Sequence, residues 1–500
     1  MLAKDARFDG RFFVGVTTTR IYCRPVCPVP PPKVENARFF PSAAAAGEAG
    51  FRPCLRCRPE TAVGTPAWHG TSATVTRALR MIADGAIDRG GVEDLAAPLG
   101  VTSRHLARLF MQHVGASPLA VARTRRLHFA KRLIDDSDLS MSEVALSAGF
   151  GSVRTFNAVF RKTYGKTPTQ LRGKAASVTV NEGDVELVLS CRSPFEWRGL
   201  IGFLGARATP GVERVVSDSY ERTIGIAGMS GSIAVRPSCE HPDRLRLKVR
   251  FPDPTELLRI AERVRRIFDV DADVAEITRH LGKDPLLAAE VRARPGLRVP
   301  GAWDGFELAV RAILGQQVSV KAATTLAGRL ARTIGEPLAR PSRGLSHLFP
   351  TAERLAAADL STLGLTRARA ATLVNLSRAV LDGAVLFGAG VDPVQGVRRL
   401  MEVRGIGAWT AQYVAMRAFG DPDAFPAGDL GLLRAAGRDG SALSSAELSR
   451  CAEGWRPWRA YAAMHLWNLH GKIATGAPRK RARRGTTAGG GESRRFRHAI

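Results

Sequence analysis

The 500 residues of this chain, 45% hydrophobic and 24% charged, are enough for three or four domains with cores of their own. Its 73 Lys and Arg outnumber 46 Asp and Glu, a net charge of +27 that points to a polyanionic partner, most simply nucleic acid. No apolar stretch follows the basic N-terminus and no run of about eighteen uncharged apolar residues occurs, so neither secretion nor membrane insertion is expected.

In chain order, the first pattern is two close cysteine pairs, Cys23 with Cys27 and Cys54 with Cys57, a spacing that wraps one tetrahedral Zn²⁺. Zinc takes the protons from its thiol ligands, so a ligand sulfur facing solvent is both metal-bound and nucleophilic. On spacing alone, a purely structural zinc site fits as well. The segments RIYCRPVCPV, KVENARFFPSA and GFRPCLRCRPE resemble the zinc domain of the Ada regulatory family, over residues 1–62. That resemblance implies that Cys23 accepts a methyl group from a DNA methylphosphotriester. One thiolate of the four-cysteine cluster then becomes a thioether, the cluster's charge falls from minus two to minus one, and DNA phosphates are repelled less. The family also carries a helix ahead of the stretch that opens here as MLAKDARFDGRFF, so a longer N-terminus or a trimmed domain is expected. The other three cysteines, Cys191, Cys239 and Cys451, are scattered singly. They fit a reducing cytoplasm better than a disulfide framework, and are expected to be buried or inert.

After the polar linker ETAVGTPAWHGTSA come two helix-turn-helix patterns. In VEDLAAPLGVTSRHLARLFMQHVG, Leu95, Leu99, Leu106 and Phe110 keep helical spacing, Gly100 supplies the turn, and Thr102 or Ser103 caps the second helix; Pro98 is expected to shorten the first. In MSEVALSAGFGSVRTFNAVFRKTYGKTP, Val144, Ala145, Phe156 and Phe160 form the apolar face and Gly149 the turn. Arg154, Asn157, Arg161 and Lys162 lie on the outward side of the expected recognition helix. Joined by SPLAVARTRRLHFAKRLIDD, the pair resembles an AraC-type DNA-binding domain over residues 72–172.

Past a second linker, GKAAS, the period changes to two. DVELVLSC, YERTIGIA, GSIAVRP and RLRLKVRF alternate as half-buried antiparallel strands, with Leu245, Leu247, Val249 and Phe251 inward. From residue 254 the signals are helical, and the basic, glycine-rich tail 479–500 is expected to be disordered.

Within the helical region, LMEVRGIGAWTAQYVAMRAFG predicts two helices joined at Gly405, Ile406 and Gly407, where backbone N–H groups approach a DNA phosphate. With DAFPAGDLGL and RPWRAYAAMHLWNLHG, this hairpin resembles the AlkA-type 3-methyladenine DNA glycosylase family, from residue 178 to 476. The resemblance implies that Asp429 is the catalytic carboxylate, that Trp409, Tyr413 and Trp467 form the base pocket, and that Gln317 stands where the family wedges a leucine into the duplex. Electron-rich rings suit the positive charge of an N-alkylated purine, and a carboxylate suits the oxocarbenium-like sugar left as its bond breaks. Lyase-type relatives carry a lysine where Trp409 stands, so a monofunctional hydrolase is expected. No PCHR motif of an O6-alkylguanine methyltransferase occurs.

The expected protein is therefore multidomain α+β. It comprises a small zinc domain (1–62), an all-α double helix-turn-helix domain (72–172), an antiparallel β-sheet domain (178–253) and an all-α helix-hairpin-helix glycosylase domain (254–476). One Zn²⁺ is expected as cofactor, with alkylated and promoter double-stranded DNA and RNA polymerase as partners. The alternative is a transcriptional regulator with structural zinc and an inactive glycosylase fold that only holds DNA.

Overall fold

The computed structural model describes residues 4–5, 8–62, 73–88, 90–172, 184–342, 344–437 and 441–474, with side chains as far as residue 470. Residues 63–72 of the first linker, the linker GKAAS with the residues that follow it to 183, and the basic tail lie outside the described residues. No described helix is long and apolar enough to cross a membrane.

The N-terminal module is a four-stranded sheet in the order Ala37–Phe40, Phe13–Val16, Ile21–Cys23, Arg52–Pro53, antiparallel except for the last pair. Its apolar face packs under the short helix Ala43–Glu48, which Ser42 caps through the Ala45 N–H.

Helices Ala73–Ala83, Val92–Ala96 and Ser103–His113 form the first helix-turn-helix unit around the buried Leu95, Leu99, Leu106 and Phe110. Pro98 has the expected effect: the α-helix stops at Ala96 and continues as a 3₁₀ turn, Ala97–Leu99. Gly100 then turns the chain at φ 70°, and Thr102 caps the next helix. The long helix Pro118–Asp136 leads to the second unit, Met141–Ser147 and Val153–Tyr164.

The five-stranded antiparallel sheet runs in the order Asp184–Ser190, Arg244–Arg250, Met229–Pro237, Ser219–Ile226, Glu213–Val216. Leu245, Leu247 and Val249 are fully inward, while Phe251 at the strand end is only partly buried. One core runs on from this sheet into the second helix-turn-helix unit, joining Leu187, Ile224 and Leu247 to Val144, Phe156 and Phe160. Helix Leu257–Ile267 contributes Leu258, Ile260 and Val264 to the same core. The C-terminal helices build a separate, larger core.

Several elements escaped the sequence, among them the four strands of the N-terminal module and the edge strand Glu213–Val216 of the second sheet. Helix Trp197–Ala206 lies inside the strand region, and the hairpin Pro337–Ser342/Leu345–His347 interrupts the helices. Of the single cysteines, Cys191 is buried as expected, whereas Cys239 and Cys451 are exposed.

A buried charge network ties the sheet to the helices. Arg222 bonds Glu307 at 2.7 Å and Glu213 at 3.3 Å, and Arg311 bonds the same two carboxylates at 3.0 and 2.9 Å. Burial lowers the Arg222 pKa, but Glu307 and its neighbours overturn this and raise it above the ordinary value. Removing one partner strands a buried charge, so Arg222→Ala is expected to destabilise this region by about 3–5 kcal/mol. Urea unfolding of the full chain, followed by Trp303 fluorescence in a variant lacking the other tryptophans, would show no midpoint change if the network were neutral.

Candidate metal centre and active site

Strands Ile21–Cys23 and Arg52–Pro53 run side by side, so Cys23 ends one strand and Cys54 follows the other, their backbones joined by Cys54 N–H to Tyr22 O at 3.0 Å. The tight turns that follow bring in Cys27 and Cys57. The four sulfurs lie within 4.8 Å of one another. Tetrahedral thiolates about 2.3 Å from one Zn²⁺ stand about 3.8 Å apart, so the donor set fits that ion. Arg24 braces the site: its backbone N–H donates to Cys57 Sγ at 3.4 Å, and its guanidinium donates to Cys57 O, Thr61 and Asp9. All four cysteines are buried, Cys23, Cys54 and Cys57 keeping 7% of their residue surface and Cys27 2%.

In the C-terminal half, helices Pro393–Glu402 and Ala408–Arg417 form the hairpin. Gly405 has φ 97°, and a Cβ there would run into the Thr372 side chain, so only glycine fits. Gly407 starts the second helix with no side-chain cap, leaving its first N–H groups for an anion. Ile406 is buried beneath the turn.

The second hairpin helix carries Trp409 and Tyr413 one turn apart, stacked at 5.6 Å and 12°. Helix Arg459–Ala474 sets Trp467 edge-on to Tyr413 at 6.1 Å. Asp429 caps helix Leu430–Ala436 and accepts three hydrogen bonds. Leu432 N–H and Trp467 Nε1–H reach Oδ1 at 3.0 and 2.9 Å, and Trp409 Nε1–H reaches Oδ2 at 3.0 Å. The capping role and the pocket role thus fall on one carboxylate, clamped between two of the three expected aromatic residues. All four residues line a cavity of about 1080 Å³.

Gln317 is exposed at the rim of that cavity, in the turn between helices Gly305–Leu314 and Val320–Ile334. Its backbone is left-handed at φ 55°, a conformation that costs an ordinary residue about 1–2 kcal/mol. Gln316 anchors the turn to the hairpin through Gly405 O at 3.1 Å and Thr410 Oγ1 at 3.0 Å. On helix Val153–Tyr164, Arg154, Arg161 and Lys162 are exposed and Asn157 is half-buried.

Sequence reasoning missed the pocket floor. Phe203 packs against Trp467 at 5.9 Å, Arg207 lies 3.7 Å over the Phe203 ring, and Arg417 donates to Tyr413 Oη at 2.7 Å. Burial pushes the Tyr413 phenol up, but Arg417 and Arg207 outweigh it and bring it below its ordinary value. Arg207 and Arg417 therefore place positive charge beside the aromatic cavity, and the Asp429 carboxylate places negative charge within it. The signals were present: Trp197, Leu200, Ile201 and Leu204 keep helical spacing, and Arg417 follows Tyr413 by one turn.

Known domains match these modules in chain order. The metal binding domain of Ada matches residues 1–60, a helix-turn-helix domain 95–174, the AlkA N-terminal domain 186–304, and the HhH-GPD superfamily of base excision DNA repair proteins 310–459. A Mycobacterium tuberculosis relative named probable bifunctional transcriptional activator/DNA repair enzyme AlkA is 45% identical over 469 residues, 93% of this chain and 94% of its own length. The chain belongs to this bifunctional Ada–AlkA family. Two Escherichia coli proteins match its two halves. DNA-3-methyladenine glycosylase 2 is 36% identical over 57% of this chain and 97% of its own, and the bifunctional activator/repair enzyme Ada is 32% identical over 37% and 52%. The solved 3-methyladenine DNA glycosylase of Archaeoglobus fulgidus shares the fold of the C-terminal half, with a TM-score of 0.50 at 22% identity over 57% of this chain and 99% of that one. This Ada–AlkA chain is a DNA repair enzyme with DNA as its partner and a four-cysteine site for one Zn²⁺.

Proposed function

We propose that the chain senses and repairs alkylation damage with two separate sites, working in the cytoplasm. At the first, the Cys23 sulfur attacks the methyl carbon of a DNA methylphosphotriester: the S–C bond forms, the O–C bond breaks, and the phosphate oxygen keeps the electron pair. Bound Zn²⁺ would hold the four sulfurs as thiolates. The thioether product has lost one negative charge, and the two helix-turn-helix units, with Arg154, Asn157, Arg161 and Lys162, then bind a promoter and recruit RNA polymerase.

At the second site, the hairpin residues Gly405, Ile406 and Gly407 hold the backbone and Gln317 fills the gap of a flipped nucleotide. Trp409, Tyr413 and Trp467 receive an alkylated base such as 3-methyladenine. The N-glycosidic bond breaks with its electrons going to the base, Asp429 stabilises the positive sugar, and water completes hydrolysis without strand cleavage. The observation that supports this reading most is the Asp429 carboxylate clamped by two indole N–H groups inside an aromatic cavity behind a helix-hairpin-helix. Its test is base release: full-length protein incubated with methylated duplex should liberate 3-methyladenine and leave heat-labile abasic sites. No release would leave the transcriptional reading, with a fold that only holds DNA.

Methylation is expected to raise promoter affinity by an amount that shrinks as salt rises, because the gain is electrostatic. Binding isotherms of methylated and unmethylated protein across a salt series check this, and a salt-independent gain would replace it with a conformational mechanism. Trp467→Ala is expected to weaken capture of the flipped base by about 1–3 kcal/mol, the range for base-aromatic stacking. The variant also removes one of the three hydrogen bonds to Asp429, so the single-turnover rate should fall along with affinity.

A further inference from the structure

The hairpin that supports the base pocket is gripped from behind by the DNA-binding module. Helix Ala73–Ala83 opens the first helix-turn-helix unit, and Arg77 and Arg80, one turn apart, reach from it to the glycosylase half. Arg80 donates to Phe419 O at 2.7 Å and to Gly420 O at 3.1 Å. These carbonyls follow the last turn of helix Ala408–Arg417, the one that carries Trp409 and Tyr413. Arg77 Nε donates to Gly390 O at 2.6 Å, just ahead of helix Pro393–Glu402. A Cβ at Gly390 would strike the Met81 sulfur, so the contact surface is also closely packed. Asp84, one residue past the helix, pairs with Arg266 at 2.7 Å.

The two hairpin helices have ten residues each, so these grips lie about 15 Å from the Gly405–Gly407 turn, at the end away from the phosphate. Phe419 and Gly420 lie just past the C-cap of helix Ala408–Arg417, so the Arg80 guanidinium hydrogen-bonds the chain as it leaves the helix and sits near the negative end of its dipole. One side chain thus fixes the far end of the helix whose near end contacts DNA, and its neighbour fixes the other helix.

We propose that Arg77 and Arg80 are positioning residues of the glycosylase: the first helix of the DNA-binding module holds both hairpin helices at their far ends, and through them sets Trp409 and Tyr413 against Asp429. The excision part of this inference rests on the glycosylase reading; the mechanical part does not. Since coupling is reciprocal, damaged DNA in the pocket should tighten helix Ala73–Ala83 as well.

The test compares full-length wild type, Arg80→Lys, Arg80→Ala and Arg77→Ala/Arg80→Ala, all checked for native circular dichroism and unchanged promoter binding. In single-turnover excision on a duplex with one alkylated purine, the double variant should lose about 10-fold or more in maximal rate, as small misplacements of reacting groups do. The protein concentration at half-saturation should change far less, and Arg80→Lys, which keeps the charge and a donor, should recover part of the rate. A folded double variant excising at the wild-type rate overturns the proposal. If wild type itself releases no base, the glycosylase reading fails, and hydrogen exchange decides the mechanical part. The amides of 408–417 should then exchange about 10-fold faster in the double variant, and equal exchange overturns it.

Discussion

Asp429→Asn is expected to cut single-turnover release of 3-methyladenine by a factor on the order of 10²–10³ or more, the cost of deleting one preorganised group that faces developing charge. The amide keeps the shape of the side chain but not its charge opposite the oxocarbenium-like sugar. The geometry adds a second effect. One oxygen of Asp429 accepts from Leu432 and Trp467 and the other from Trp409, so an amide that keeps the first pair turns its NH₂ toward the Trp409 N–H. Two donors then face each other, at a cost of about 1–3 kcal/mol for the unpaired group. Asp429→Asn should therefore also loosen the Trp409 ring, visible as a changed indole fluorescence. Binding to an abasic-site analogue, which leaves the base pocket empty, should change much less than the rate. Excision at the wild-type rate would show that this carboxylate only caps its helix.

Cys23→Ala is expected to abolish methyl transfer, measured as the loss of the mass increment of one methyl group after incubation with methylated DNA. Transfer should be stoichiometric in wild type, because a thioether does not readily pass its methyl on. Peptide mapping that puts the methyl on Cys27, Cys54 or Cys57 would remove the assignment. Three ligands remain in Cys23→Ala, so zinc should be retained more weakly, and promoter binding should no longer respond to damaged DNA. Excision by the C-terminal half should continue, which separates the two sites.

The elements most legible in the sequence were those whose chemistry is local. Cysteine spacing marked the zinc site, strict alternation marked Arg244–Arg250, and apolar spacing with a turn glycine marked both helix-turn-helix units. Pro98 even reported its own helix break. Asp429 was legible only through resemblance, because nothing local distinguishes a capping aspartate from a catalytic one. Its hydrogen bonds to Trp409 and Trp467 span 20 and 38 residues. Helix Trp197–Ala206 was lost although Trp197, Leu200, Ile201 and Leu204 keep helical spacing, because it is a single ten-residue helix set between segments of strand period and holds three glycines. Arg417 could be placed one turn from Tyr413, but its burial, and the place of Arg207 in the cavity wall, could not be read, since charged side chains normally read as solvated and only tertiary packing buries them.

The core shared by the second helix-turn-helix unit and the antiparallel sheet bears on how this protein can be divided. Residues 173–183 carry the change of period that marks a domain boundary in the sequence, and anyone separating the two halves by sequence would cut there. Such a cut leaves Val144, Phe156 and Phe160 on one fragment and Leu187, Ile224 and Leu247 on the other, members of a single buried cluster. Each fragment would expose apolar surface that the intact chain keeps dry, and both would be prone to self-association. The DNA-binding module and the repair module are thereby bound to one another in abundance: whatever unfolds or degrades one removes the other in equal measure.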